Sequence, residues 1–145
     1  FVAAEHQRRR GRFEEALTAY AHAMERFEAR AARLPEVADD SDHYVALALA
    51  GRARVHMELL DLPRATGELL ASLERRAQSA AALDGLGITP LATARMLHAR
   101  LAEAGRREDA AGVQAAIEAL DPTLLEPPPS EAQGSRGRRP PARGR

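Results

Sequence analysis

Cysteine and lysine are absent from this 145-residue chain, and aromatic residues make up only 3% of it. Without cysteine the chain can form neither disulfides nor thiolate metal sites. The scarcity of aromatic residues argues against a β-sheet protein, because sheets favour aromatic and β-branched side chains. Arginine stands in every place where lysine or arginine could supply positive charge, which indicates a GC-rich codon bias and not a chemical requirement.

Long apolar runs are also missing. No run approaches the roughly 20 residues that a membrane-spanning helix needs. The first residues do not resemble a signal peptide, because Glu5 and the arginines at residues 8–10 charge them. We therefore expect a cytoplasmic protein with no membrane partner.

Alanine and leucine dominate the chain, and both are strong helix formers. The net charge is zero, but residues 1–125 carry 16 Arg and 19 acidic residues, whereas residues 126–145 carry 5 Arg and 2 Glu. From Glu126 onward the chain is rich in Pro, Gly and Arg and has too little apolar surface to offset the entropy of ordering. We predict a helical domain over residues 1–122 and a disordered tail over residues 123–145.

Five stretches have apolar residues at helical spacing. The clearest stripe consists of Phe13, Leu17, Tyr20, Met24 and Phe27. The predicted helices cover residues 13–32, 43–60, 63–82, 90–104 and 106–120, after the end of an earlier helix at residues 2–10.

Turn signals separate these helices. Residues 35–42 form a predicted acidic loop, in which Ser41 or Asp42 caps the following helix. Pro63 and Pro90 each stand at a predicted first helical position, where proline is favoured.

Three segments between helices resemble one another, at residues 11–17, 60–66 and 105–111. The sixth residue of each is alanine, namely Ala16, Ala65 and Ala110. A small residue in this place allows the two helices of a pair to approach closely, so the segments indicate repeated helix pairs.

The repeated segments resemble the tetratricopeptide repeat, a family of stacked helix pairs. The first copy matches the family pattern at Gly11, Phe13, Glu15, Ala16, Tyr20 and Ala23. The third copy matches it at Gly105, Asp109, Ala110, Leu120, Asp121 and Pro122. The second copy has Leu60 in place of the turn glycine. The intervals of 49 and 45 residues between the alanines exceed the usual period of about 34, so longer helices and loops absorb the difference.

The resemblance implies an all-α fold of antiparallel helix pairs, stacked as a short α-α superhelix. It also implies that the first helix of each pair lines a concave binding face. That face would come from residues 1–9, 43–60 and 90–104. Its polar candidates for binding a partner are Arg52, His56, Arg95 and His98.

Arg52 and His56 are four residues apart, and Arg95 and His98 are three apart, so the members of each pair are neighbours on one face of a helix. An arginine-lined groove is suited to a carboxylate such as a peptide C-terminus. The alternative is that the arginines are solvated or pair with nearby acids, as exposed charges commonly do.

Catalytic and cofactor motifs are missing from the sequence. The five histidines make no zinc motif, and the acidic run at residues 39–42 lacks the glycine turn of a calcium loop. The serines form no nucleophile elbow, and no glycine-rich phosphate loop follows a strand. We therefore predict no enzyme activity, no cofactor and no metal.

The leading hypothesis from the resemblance is a scaffold that binds a protein or peptide partner. The alternative is a structural or self-associating helical domain of a larger regulatory protein. A third hypothesis, nucleic-acid binding, depends on the tail alone, which has no aromatic residue to stack on bases. The tail arginines are Arg136, Arg138, Arg139, Arg143 and Arg145.

Overall fold

The computed structural model describes residues 1–125, which form helices joined by short turns. This part of the chain contains no strand, so the predicted all-α class is confirmed. The α-helices are α1 (Val2–Arg9), α2 (Phe13–Arg33), α3 (Ala38–Glu58), α4 (Leu62–Arg75), α5 (Pro90–Glu103), α6 (Arg107–Glu118) and α7 (Pro122–Leu125). Short 3₁₀ helices occupy Pro35–Val37 and Ala77–Ala81.

Each helix from α1 to α6 packs against its neighbours in the sequence, and α3 also contacts α5. The connections that precede α2, α3, α4 and α6 are short, so each of these helices runs antiparallel to the one before it. Residues 76–89 form a longer connection between α4 and α5. One buried cluster lies among α1, α2 and α3 and includes Tyr20 and Val55. A larger one joins α3, α4, α5 and α6 around Leu69, Leu97 and Val113. Helix α3 contributes to both clusters and is the central element of the fold.

The same turn ends α1, α3 and α5. At each of these ends one residue has a left-handed backbone, with φ of 73° at Gly11, 61° at Leu60 and 74° at Gly105. Its N–H donates to the carbonyl three residues back, and the next N–H donates to the carbonyl five residues back. This pattern is a Schellman motif, which satisfies the free carbonyls of a helix end. The three segments that look alike in sequence therefore form equivalent turns.

The repeated alanines follow these turns in the first residues of α2, α4 and α6. Ala16 and Ala65 are fully buried, and Ala110 is nearly so. In all three, the alanine N–H donates to the carbonyl of the residue after the turn, at 3.0 Å. The expected burial of a small residue at each helix pair is confirmed.

The predicted loop at residues 35–42 is wrong in its second half. Helix α3 begins at Ala38, so Asp39 and Asp40 lie in its first turn, where the helix dipole favours negative charge. Ser41 is buried inside the helix and caps nothing, and Asp42 instead accepts from Arg75 at 2.7 Å. The acidic run belongs to the helix.

The helix predicted over residues 63–82 is also too long. Helix α4 ends at Arg75, because Arg76 adopts an extended backbone conformation before the 3₁₀ helix. The helix start at Thr89 and Pro90 is confirmed, since Thr89 Oγ1 accepts from the Ala92 N–H at 3.0 Å.

The predicted boundary between domain and tail, at residue 123, falls inside α7. Leu125 packs against the larger core cluster, and Asp121 accepts from the Thr123 N–H at 2.9 Å. Residues 126–145 lie outside the described part of the chain, and with them the arginines of the nucleic-acid hypothesis.

Replacing Leu60 with glycine is expected to raise the free energy of unfolding by about 1 kcal/mol. A left-handed backbone costs a residue that has a Cβ atom about 1 kcal/mol, whereas glycine adopts it freely. Little packing is lost, because Leu60 is 83% exposed. Urea denaturation would measure the change.

Gly105→Ala is the matched control for this prediction. A Cβ atom there would meet nothing within 4 Å, so strain at φ of 74° is the main expected effect. This variant should lose about 1 kcal/mol. Equal stability of the Leu60→Gly variant and the parent chain would contradict the prediction.

Candidate functional site

Two of the four residues predicted to bind a partner lie between helices and not on a groove. Arg52 Nε donates to Glu68 Oε1 at 2.9 Å, and its Nη1 donates to the Leu17 carbonyl at 3.1 Å. Arg52 therefore links α2, α3 and α4. His56 is only 3% exposed and lies 3.5 Å from the same Glu68 oxygen. The expected surface position is therefore wrong for His56, whereas 23% of the Arg52 side chain stays exposed. Pairing with a nearby acid is confirmed for Arg52, and its role in binding a partner stays a prediction.

The other two predicted residues lie on α5. Arg95 is exposed and His98 is partly exposed. Their role in binding a partner stays a prediction. The structure does not bring the four residues together, because Arg52 and His56 face α4.

A different set of side chains meets between α1, the start of α2, α3 and the loop before α5. Arg8 of α1 and Arg54 and Glu58 of α3 line a surface recess of about 210 Å³. Phe13 at the start of α2 and Leu86 of the loop before α5 complete its wall. We call this feature the Arg54 recess.

Helix α5 is joined to the Arg54 recess by a hydrogen bond. Arg54 Nη1 donates to Thr93 Oγ1 at 3.2 Å. Residues 54 and 52 are separated by two helical steps of about 100° each, so they lie on nearly opposite sides of α3. Arg54 therefore points away from Glu68 and towards the side shared by α1, α3 and α5.

Arg8, which lines the Arg54 recess, forms a buried ion pair. Arg8 Nη2 donates to Asp84 Oδ2 at 2.8 Å, and the two side chains are 7% and 8% exposed. The other Asp84 oxygen accepts from the N–H groups of Leu86 and Ile88 at 2.8 and 2.9 Å. Arg8 Nη1 has no hydrogen-bond partner among the described residues.

Helix α1 is held to the same loop by a second contact. Glu5 Oε1 accepts from the Gly85 N–H at 2.9 Å. A Cβ atom on residue 85 would collide with the Glu5 carboxylate, which explains the glycine in this place. The first helix of the chain is thus fixed to the loop that precedes its third pair.

Arg54 is the arginine of the recess that contacts no carboxylate directly. Burial is the main cause that lowers the pKa of this guanidinium, and repulsion by Arg8 adds to it, whereas the nearby Asp84 and Glu58 carboxylates oppose the shift. Within residues 1–125 no carboxylate forms an ion pair with Arg54, whereas Arg8 is paired with Asp84 and Glu58 lies 3.9 Å from Arg100. A partly buried cation without a partner is unfavourable, so an anion that enters the recess is attracted to Arg54.

Residues 1–125 contain no group of three His, Asp or Glu side chains that could hold a metal ion. No helix in that range is both long and apolar enough to cross a membrane. Comparisons with family models, curated proteins and solved structures gave no match.

Replacing Asp84 with alanine is expected to lower the free energy of unfolding by about 3–5 kcal/mol, because it leaves the Arg8 charge buried without a partner. Asp39→Ala is the matched control. Asp39 also pairs with an arginine, Arg76, but its side chain is 79% exposed, and such pairs contribute little. Urea denaturation would measure the free energy of unfolding of both variants. Similar losses in the two variants would contradict the prediction.

Proposed function

We propose that this protein is an interaction module that binds an acidic segment of a partner protein on the side shared by α1, α3 and α5. The observation that carries the proposal is the partly buried Arg54 guanidinium, which has no carboxylate partner among the described residues. It lies in a recess with the apolar side chains of Phe13 and Leu86 beside it.

The charge of the Arg54 recess favours a carboxylate over a phosphate. Asp84 pairs with Arg8, whereas no carboxylate contacts the Arg54 guanidinium directly among the described residues. Glu58 also lines the recess and would repel a dianion. A guanidinium presents its N–H donors in a planar fork that matches the two oxygens of a carboxylate. The side chain of Asp or Glu and the C-terminus of a peptide both have this chemistry.

The arrangement of the helices supports an extended ligand. The equivalent turns at Gly11, Leu60 and Gly105 and the buried alanines after them are features of repeated helix pairs. We propose that the pairs stack as in the tetratricopeptide repeat, so that α1, α3 and α5 line a continuous face. Repeat proteins bind partners along such faces.

Binding of acidic peptides would test this proposal. Twelve-residue peptides selected from a random displayed library would be synthesised, each in a second form with Asn and Gln in place of Asp and Glu. We expect Arg54→Gln to weaken binding of the acidic form at least tenfold, which corresponds to about 1.4 kcal/mol. Fluorescence anisotropy at several salt concentrations would measure the affinities.

Arg107→Gln is the matched control, since Arg107 is an exposed arginine on α6, away from the proposed face, and does not line the Arg54 recess. Its affinity for the peptides should equal that of the parent chain. Peptides that bind equally well in their acidic and amide forms, or equally to the Arg54→Gln variant, would contradict the proposal.

A further inference from the structure

The turn between α3 and α4 departs from its two counterparts at one residue. Leu60 adopts a left-handed backbone, with φ of 61°, where the equivalent turns have glycine. Its side chain is 83% exposed, so it contributes little to the core of this chain. A large apolar side chain in a strained and exposed position does not serve the folding of a single copy.

A second recess, of about 600 Å³, lies directly beside this turn. Leu60 stands on its rim, and Met57, Leu62 and Ala104 supply its apolar surface. The recess is large enough to receive a leucine side chain from another molecule. We call this surface the Leu60 surface.

The charged residues of the Leu60 surface have both signs. Arg100 and Glu103 lie three residues apart on α5, and both line the recess with Glu58. The Arg100 guanidinium is 3.9 Å from Glu58, which is a long ion pair. Glu103 is exposed and forms no ion pair within residues 1–125. A surface that has an arginine and a free glutamate side by side is complementary to itself.

We propose that the Leu60 surface binds a second copy of this chain. In a dimer with two-fold symmetry both molecules use the same patch, so every contact between two residues occurs twice in the interface. In this arrangement Leu60 of each copy enters the recess of the other, and Arg100 of each copy meets Glu103 of the other.

The decisive variant is Leu60→Gly, because the proposal gives it two effects of opposite sign. It relieves backbone strain and so stabilises the single chain, but it removes the side chain that enters the second copy. We expect the full 145-residue chain to dimerise as its concentration rises and the variant to dimerise at least tenfold more weakly. Sedimentation equilibrium would measure association, and thermal unfolding of dilute samples would measure stability.

Two results would overturn the proposal. One is a parent chain that stays monomeric up to about 1 mM, where even a free energy of association of about −4 kcal/mol would populate the dimer. The other is a Leu60→Gly variant that dimerises as well as the parent. A loss of dimer together with a gain in stability supports the proposal and excludes misfolding as the cause.

A charge exchange tests the two-fold pairing separately. Arg100→Glu alone and Glu103→Arg alone each place like charges opposite one another and should weaken dimerisation. An equal mixture of the two variants restores both opposite-charge pairs and should form a heterodimer. A mixture that associates no better than the single variants would contradict the arrangement. Peptide binding at Arg54 is tested independently by the Leu60→Gly variant, because Leu60 does not line the Arg54 recess.

Discussion

The buried ion pair between Arg8 and Asp84 fixes the first helix of the chain to the loop that precedes α5. It joins residues 76 positions apart, whereas most helix contacts in the described chain connect sequence neighbours. Removing two charges from water is costly, and the arrangement offsets this by satisfying Asp84 with two further N–H donors. Because Glu5 holds Gly85 as well, α1 lies on the same side as α5. The recess around Arg54 exists only in this arrangement.

Local signals in the sequence predicted the helices well, because helix ends depend on a few adjacent residues. Thr89 and Pro90 start α5 as expected, and Gly11 and Gly105 have the left-handed conformation that a helix-ending glycine commonly adopts. The failure at residues 35–42 has a non-local cause. Clustered acidic residues suit a solvated loop and the first turn of a helix equally, and contacts with Arg75 and Arg76 decide between them.

The candidate site could not be located from sequence because α3 is buried on most of its circumference. Its apolar residues form no single stripe, so periodicity does not show which side faces a neighbour. Arg52 and Arg54 are the same residue type two positions apart, and only the contacts with Glu68 and Thr93 distinguish them. Tyr20 presents a similar case. Its buried ring lies so close to Gly51 that a Cβ atom there would be 2.5 Å from the ring, which no sequence pattern indicates.

The long-range contact of α1 has a consequence for the order of folding. Helices that pack on sequence neighbours can associate early, because short loops cost little entropy to close. During synthesis the first two pairs can pack once α4 has emerged, but Glu5 and Arg8 find their partners only when residues 84 and 85 follow. Until then the charged groups of Glu5 and Arg8 remain in water. Desolvation of the ion pair and closure of the recess then occur in one late step, so a nascent or truncated chain without residue 84 lacks the recess.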